Sequence, residues 1–251
     1  MKKEEIGEMN LKFNEFEKPG LYLTFSDGST SPLTKENIES AVKTYWEDPS
    51  KIPPRVRKAT EFQRCSFCPL KRVEDMCDAI RPTIPFLGIV DKYVSFDKVI
   101  AVFREDQKDI LHISTTTMQQ ALKYVSILSL LYYCRKGRTY WRYFWGINPL
   151  TPGQEIASRL YLNLSFLHNG NREEINKVIS KFKEEIKITS KNQVARINLI
   201  CENDVFSNSF VNTQIITQIL SMNLDSALEA AFKNFEETYW SSDSKLMNTD
   251  S

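Results

Sequence analysis

KVIAVFR, residues 98–104, and ILHIS, residues 110–114, flank the charged stretch Glu105–Asp109. Both runs are rich in β-branched residues, which predicts two strands joined by a polar loop. Val99 and Ile100 at successive positions predict a first strand covered on both faces. Next comes Met118–Cys134, MQQALKYVSILSLLYYC, polar at Gln119, Gln120 and Lys123 and apolar from Tyr124 onward. A membrane span needs about 20 predominantly apolar residues. This run is interrupted in its first turns, so it reads as a central helix buried on all sides.

Working outward, Leu11, Phe13 and Phe16 and then Leu21, Leu23 and Phe25 read as extended chain on either side of the turn signal Pro19-Gly20. The second run ends at Asp27-Gly28. Thr34 is an N-cap for a short helix in which Ile38, Ala41, Val42 and Tyr45 share one face. Three prolines within Asp48–Pro54 argue against regular structure there and mark a boundary. Val73–Tyr93 is helical in pattern, with a break expected near Arg81 because of Pro82 and Pro85. From Pro152 to about Tyr239 the pattern is helical throughout. Thr151-Pro152 opens the first of these helices, Asn169-Gly170-Asn171 stops it, and a second carries Ile175, Val178, Ile179, Phe182 and Ile186. Later turns hold Leu199–Val205 and then Phe210 to Phe235.

These elements predict an α+β fold: a small antiparallel sheet packed against a predominantly helical C-terminal half. Residues 1–54 would form an N-terminal hairpin and helix, and residues 55–150 the cysteine cluster, two strands and core helix. Residues 151–240 would be the helical region and residues 241–251 a disordered polar tail, all in one compact domain.

The 251 residues carry 33 Lys+Arg against 32 Asp+Glu, a formal charge of +1 that excludes a polycation coating nucleic acid or anionic lipid. Five cysteines is an odd number, and the start MKKEEIGEMNLKF is charged where a signal peptide needs an apolar run. A cytoplasmic protein with reduced thiols is the expectation.

Cys65-Ser-Phe-Cys68-Pro-Leu is the most informative local motif, with Cys77 nine positions beyond Cys68. Two thiolates at C-x2-C spacing reach one tetrahedral ion from a single tight turn. Cys77 would supply a third ligand and Cys134, at the end of the core helix, a fourth. A closed four-cysteine shell of this kind is a structural zinc site. Redox-active thiols and inert packing are the alternatives. Cys201 lies in an apolar run and reads as core.

The CxxCPL motif, Cys77, the two strands, the core helix and Cys134 resemble an uncharacterised bacterial domain family. That family carries a third cysteine shortly after the motif and a fourth after a Leu/Ser-rich helix. Residues 192–235, with Arg196, Asp204 and Asn208, resemble its C-terminal helices. After the fourth cysteine the family has proline, where this chain has Arg135. The resemblance implies an architecture and no activity.

Residues 110–154 contain no Asp or Glu, yet hold Lys123, Arg135, Lys136, Arg138 and Arg142. Around the arginines lie Tyr140, Trp141, Tyr143, Phe144 and Trp145. Arginine forks beside stacking rings suit a nucleotide or single-stranded nucleic acid, which makes Arg135, Lys136, Arg138, Tyr140, Trp141 and Arg142 a candidate ligand surface. Gly137 would let backbone approach the anion. The alternative is that the rings are core and the arginines snorkel around them.

Catalytic signatures are scarce: two histidines, eight glycines, and no HExxH, GxGxxG or Walker loop. Glu173-Glu174 and Glu184-Glu185 read as solvated faces beside lysines. Asp204 reads as an acid paired with a buried Arg196. The expected function is a non-enzymatic intracellular binding or regulatory module, stapled by zinc, with an anionic ligand and no membrane partner. Other readings are an enzyme acting on nucleotides, a thiol redox protein, and a structural subunit that assembles with itself or a protein partner through its C-terminal helices.

Overall fold

The computed structural model describes residues 16–70, 76–86, 92–106, 110–201, 204–221 and 233. The first apolar run at Leu11 and Phe13, the polar tail and the helical pattern beyond Ser221 lie outside these residues, apart from Lys233. Four antiparallel strands form one sheet in the order β2-β1-β3-β4, with β1 (Gly20–Thr24), β2 (Thr30–Thr34), β3 (Lys98–Arg104) and β4 (Leu111–Thr117). The fold is α+β with a small sheet.

Alternation along β1 explains how the sheet is covered. Leu21 and Leu23, with Leu33, Val99 and Ala101, pack against Met118, Ala121, Leu122 and Val125. On the opposite face Tyr22 and Val102 meet Phe16. The β1–β2 hairpin turns at Asp27-Gly28, where Gly28 takes φ +79° and the Phe25 amide donates to the Ser29 carbonyl at 2.9 Å. The strand β2 is not legible in TSPLT, because a central proline interrupts any strand pattern. It is tolerated because β2 is an edge strand, where one missing N–H breaks no inner ladder.

Helix α1 (Lys35–Glu47) starts on its predicted cap, the Thr34 hydroxyl accepting from the Asn37 amide at 3.2 Å. The proline-rich stretch is more regular than expected. It forms a 3-10 turn at Pro49–Lys51, and Pro54 then opens α2 (Pro54–Glu61), where a missing N–H costs nothing. Within Val73–Tyr93, Asp78–Phe86 is a 3-10 helix rather than a kinked α-helix, and residues 73–75 and 87–91 lie outside the described residues. Pro82 and Pro85, three apart, stack on one side of a three-residue turn, so one edge loses both donors.

The core helix is buried as predicted but is not one α-helix. It runs as α3 (Met118–Ala121), α4 (Lys123–Ile127) and a π-helical segment Leu128–Tyr133, ending at Cys134. Its serines allow close approach. The Ser126 hydroxyl reaches the Ser209 carbonyl at 3.1 Å and the Thr213 hydroxyl, and Ser129 donates to the Ala79 carbonyl. A 3-10 helix (Gly137–Phe144) and, among the described residues, three α-helices follow, α5 (Gly153–Leu167), α6 (Arg172–Ile197) and α7 (Val205–Ser221). Asn169 and Gly170 end α5 in the left-handed region, and the Asn171 side chain caps α6. Leu199–Cys201 is turn rather than helix, residues 202 and 203 of the predicted helical run lie outside the described residues, and α7 begins at Val205. Among the described residues no helix is long and apolar enough to cross a membrane.

Lys123 is buried in this core at 2% exposure, its ammonium donating to the Thr151 carbonyl at 2.6 Å. Burial lowers its pKa from 10.5 to about 8, with Glu155 opposing the shift. Below about pH 8 the side chain is charged whether folded or unfolded, and folding strips its water. Between about pH 8 and 10.5 folding releases the proton, so this cost fades and stability rises with pH. Lys123→Met is therefore expected to be more stable than wild type at pH 7 by on the order of 3 kcal/mol. Urea denaturation from pH 7 to 10.5 should show that advantage shrinking as pH rises; a constant difference would refute the buried-charge account.

Candidate functional site: a cysteine corner and an aromatic chamber

Four chain segments converge at one corner. Cys65 and Cys68 stand on a tight turn closed by the Cys68 amide donating to the Cys65 carbonyl at 2.9 Å. Cys77 immediately precedes the 3-10 helix, and Cys134 ends the π-helical segment. All four line one cavity of about 20 Å³, together with Thr189, Gln193 and Arg196 of α6. That volume suits a single water-sized particle. As the side chains stand, no three or more His, Cys, Asp or Glu among the described residues form a metal-ligand group. Cys201 lies apart in the main core.

The sulfurs accept N–H donors from around the cavity. Asn192 Nδ2 lies 3.3 Å from Cys65 Sγ, and Gln193 Nε2 lies 3.5 Å from Cys77 Sγ. Arg196 Nη1 lies 3.2 Å from Cys77 Sγ, and the Gly137 amide 3.4 Å from Cys134 Sγ. Burial pushes the Cys134 thiol up to about 11 and also raises Cys65. Activated redox thiols are shifted in the opposite direction.

Arg196 does not pair with Asp204. The acid is exposed and accepts from Asn208 at 2.9 Å, whereas Arg196 is 2% exposed and reaches the loop before Cys65. Its Nε donates to the Phe62 carbonyl at 2.6 Å and its Nη2 to the Gln63 carbonyl at 2.9 Å. Gln63 sits at φ +42°, an uncommon conformation for a residue with a side chain, and this hydrogen bond holds it there.

The basic-aromatic segment divides between two places. Arg135 pairs with Asp78 at 3.0 Å and Lys136 with Glu185 at 3.3 Å, both beside the cysteine cavity. Glu185 is therefore not a solvated acid: its side chain is mostly buried and also accepts from Tyr140 Oη at 2.7 Å. Tyr140 belongs to the core and packs on Phe182. Arg138 donates to the Tyr132 carbonyl at 2.9 Å and lies over the Tyr132 ring. Trp141 and Arg142 face elsewhere, into a second and much larger space.

That space is a chamber of about 1120 Å³ between β1, β3, α1 and the core helix. Phe103, Tyr124, Tyr132, Tyr133, Trp141, Phe144 and Trp145 contribute its rings. Tyr132 and Trp141 meet edge to face with centroids 5.2 Å apart, and Lys35 Nζ sits 4.9 Å from the Tyr132 centroid. Four cations, Lys18, Lys35, Arg104 and Arg142, are matched by Glu36, Glu39, Glu105 and Asp106. Lys18 pairs with Glu36, and Tyr133 donates to Glu39 at 2.9 Å. The Tyr124 hydroxyl, whose pKa burial pushes up, and the Trp141 indole N–H make no hydrogen bond among the described residues.

Sequence reasoning missed Arg196, Gln193 and Asn192 as partners of the sulfurs. A signal was present: Thr189, Gln193 and Arg196 recur at helical spacing on the buried face of α6, where apolar residues would otherwise stand. The chamber carries no such signal, because its walls come from strands and helices far apart in sequence. No protein-family model, curated protein or solved structure matches the chain.

Gly137 serves packing rather than an anion. A Cβ there would lie 1.7 Å from the Leu130 carbonyl oxygen, so the chain after Cys134 folds directly onto the π-helical segment. Gly137→Ala is expected to lose about 2 kcal/mol or more by overpacking against backbone. Chemical denaturation checks this, and a loss below about 0.5 kcal/mol would contradict it.

Proposed function

We propose that this protein is a non-enzymatic binding module for a nucleotide-sized anion bearing an aromatic base. The observation that carries this reading is the chamber: large, concave, walled by aromatic rings and edged by cations. Small-molecule sites are mostly apolar concavities with a few placed polar groups, and about 1120 Å³ exceeds the usual upper range. A base would stack against Tyr132 and Trp141, whose faces and edges suit any planar ring. The Tyr124 hydroxyl and Trp141 N–H offer donors to the base edge. Lys35 and Arg142, each already lying over a tyrosine ring, stand where an anionic group would sit.

Charge balance favours a single nucleotide over a nucleic acid strand. Strand binding draws on several phosphate contacts along a basic track, whereas here four acids are interspersed among four cations.

Isothermal titration with adenosine monophosphate, guanosine monophosphate and a twelve-nucleotide single-stranded RNA tests the reading. A mononucleotide should bind with a dissociation constant near or below about 100 μM, quenching tryptophan fluorescence. Arg142→Ala should weaken it about tenfold, and Trp141→Ala by more, as expected for lost stacking. The RNA should gain nothing per site. Absence of binding by either mononucleotide at about 1 mM would remove the proposal.

A further inference from the structure

A guanidinium withdrawn from water is costly unless an anion compensates it. Arg196 is 2% exposed, yet no carboxylate among the described residues lies at ion-pair distance from it. Two of its three hydrogen bonds go to neutral carbonyls and the third to Cys77 Sγ. A neutral thiol is a weak acceptor, and a thiolate is a strong one.

The surroundings repeat this preference. Amide N–H groups from Asn192, Gln193 and Gly137 are all directed at sulfur. Gln193, also 2% exposed, leaves its own Oε1 buried without a hydrogen-bond partner among the described residues while its Nε2 faces Cys77. A polar corner that spends buried donors on sulfur is built for sulfur that carries charge. Four thiolates facing one gap of about 20 Å³ repel each other unless a cation lies between them.

We propose that Cys65, Cys68, Cys77 and Cys134 bind one Zn²⁺ as thiolates, with Arg196 as the buried counter-charge that positions them. Four thiols release four protons to solvent as the ion binds, leaving a tetrahedral centre of net charge −2. Arg196 lies against this dianion, and the three amide donors take up further charge by hydrogen bonds to sulfur. Its grip on Phe62 and Gln63 fixes the loop that feeds the Cys65 turn, so one side chain sets two of the four segments. A closed shell of four protein ligands holds no open position, which makes the centre structural. The four cysteines already line one cavity, although as the side chains stand they do not form a ligand shell.

The full-length protein, purified without chelator, should hold one zinc per chain by elemental analysis and native mass spectrometry. Co²⁺ exchanged into the metal-free protein should give sulfur-to-metal charge-transfer absorption and tetrahedral ligand-field bands. Competition with a chromophoric chelator should show Arg196→Met binding zinc 10–100-fold more weakly than wild type. Arg196→Lys should fall between, because it keeps the charge and loses the fork. Less than about 0.2 zinc per chain in folded protein, with no cobalt charge-transfer band, would overturn the site. A Cys65–Cys68 disulfide found by mass spectrometry would do the same. Unchanged affinity in Arg196→Met would overturn the role of the arginine. The cobalt spectrum is read on wild-type protein, so the test does not depend on whether a cysteine variant folds.

Discussion

Burial of the core helix on every side is the constraint on which the other features depend. The sheet lies against Met118, Ala121, Leu122 and Val125, and α7 presses on the serine-bearing side at Ser126. Small hydroxyls at contact points let backbones approach and still satisfy their own polar groups. At its far end the helix widens into π geometry, which recurs at functional sites in other proteins. That segment delivers Tyr132 and Tyr133 to the chamber and Cys134 to the corner within three consecutive residues. Gly137 then lets the following chain fold back against it, placing Trp141 and Arg142 on the chamber wall.

Electrostatic balance is local rather than global. The acid-free stretch of residues 110–154 meets acids borrowed from elsewhere, Asp78 at the start of the 3-10 helix and Glu185 on α6. Two of its cations are thereby neutralised at the cysteine corner, and Arg142 leans on a tyrosine. Lys123 and Arg196 are the exceptions: both are buried, and neither has a carboxylate among the described residues at ion-pair distance. Lys123 responds by a lowered proton affinity. A guanidinium has no such outlet, because it cannot lose its proton at ordinary pH. Its hydrogen bonds go instead to the Phe62 and Gln63 carbonyls and to Cys77 Sγ.

The corner and the chamber ask different things of the protein. The cysteine cavity has a volume of about 20 Å³ and is surrounded by donors to sulfur, whereas the chamber has about 1120 Å³ and is walled by aromatic rings. They share the segment from Tyr132 to Arg142. Its two ends therefore serve two sites.

Much of the architecture was legible in the chain. Periodicity exposed β1, β3, β4 and the C-terminal helices, and Thr34 announced the start of α1, because these signals are local. The edge strand β2 was hidden by Pro32, and the 3-10 helix by prolines whose tolerance depends on turn geometry. The cysteines could be singled out from spacing, and the structure brings those four to one cavity without drawing them into a ligand shell. The basic-aromatic segment was visible as a composition, but its division between two sites was not. By itself, then, the sequence determined three of the four strands and the main helices, the apolar face of each, and which residue types could do chemistry. Only the tertiary structure decided that Arg196 turns from Asp204 to the cysteines, that Glu185 is buried, and that a chamber exists. Those outcomes depend on which distant backbones approach each other, and on where a charge then finds its partner. No local pattern encodes either.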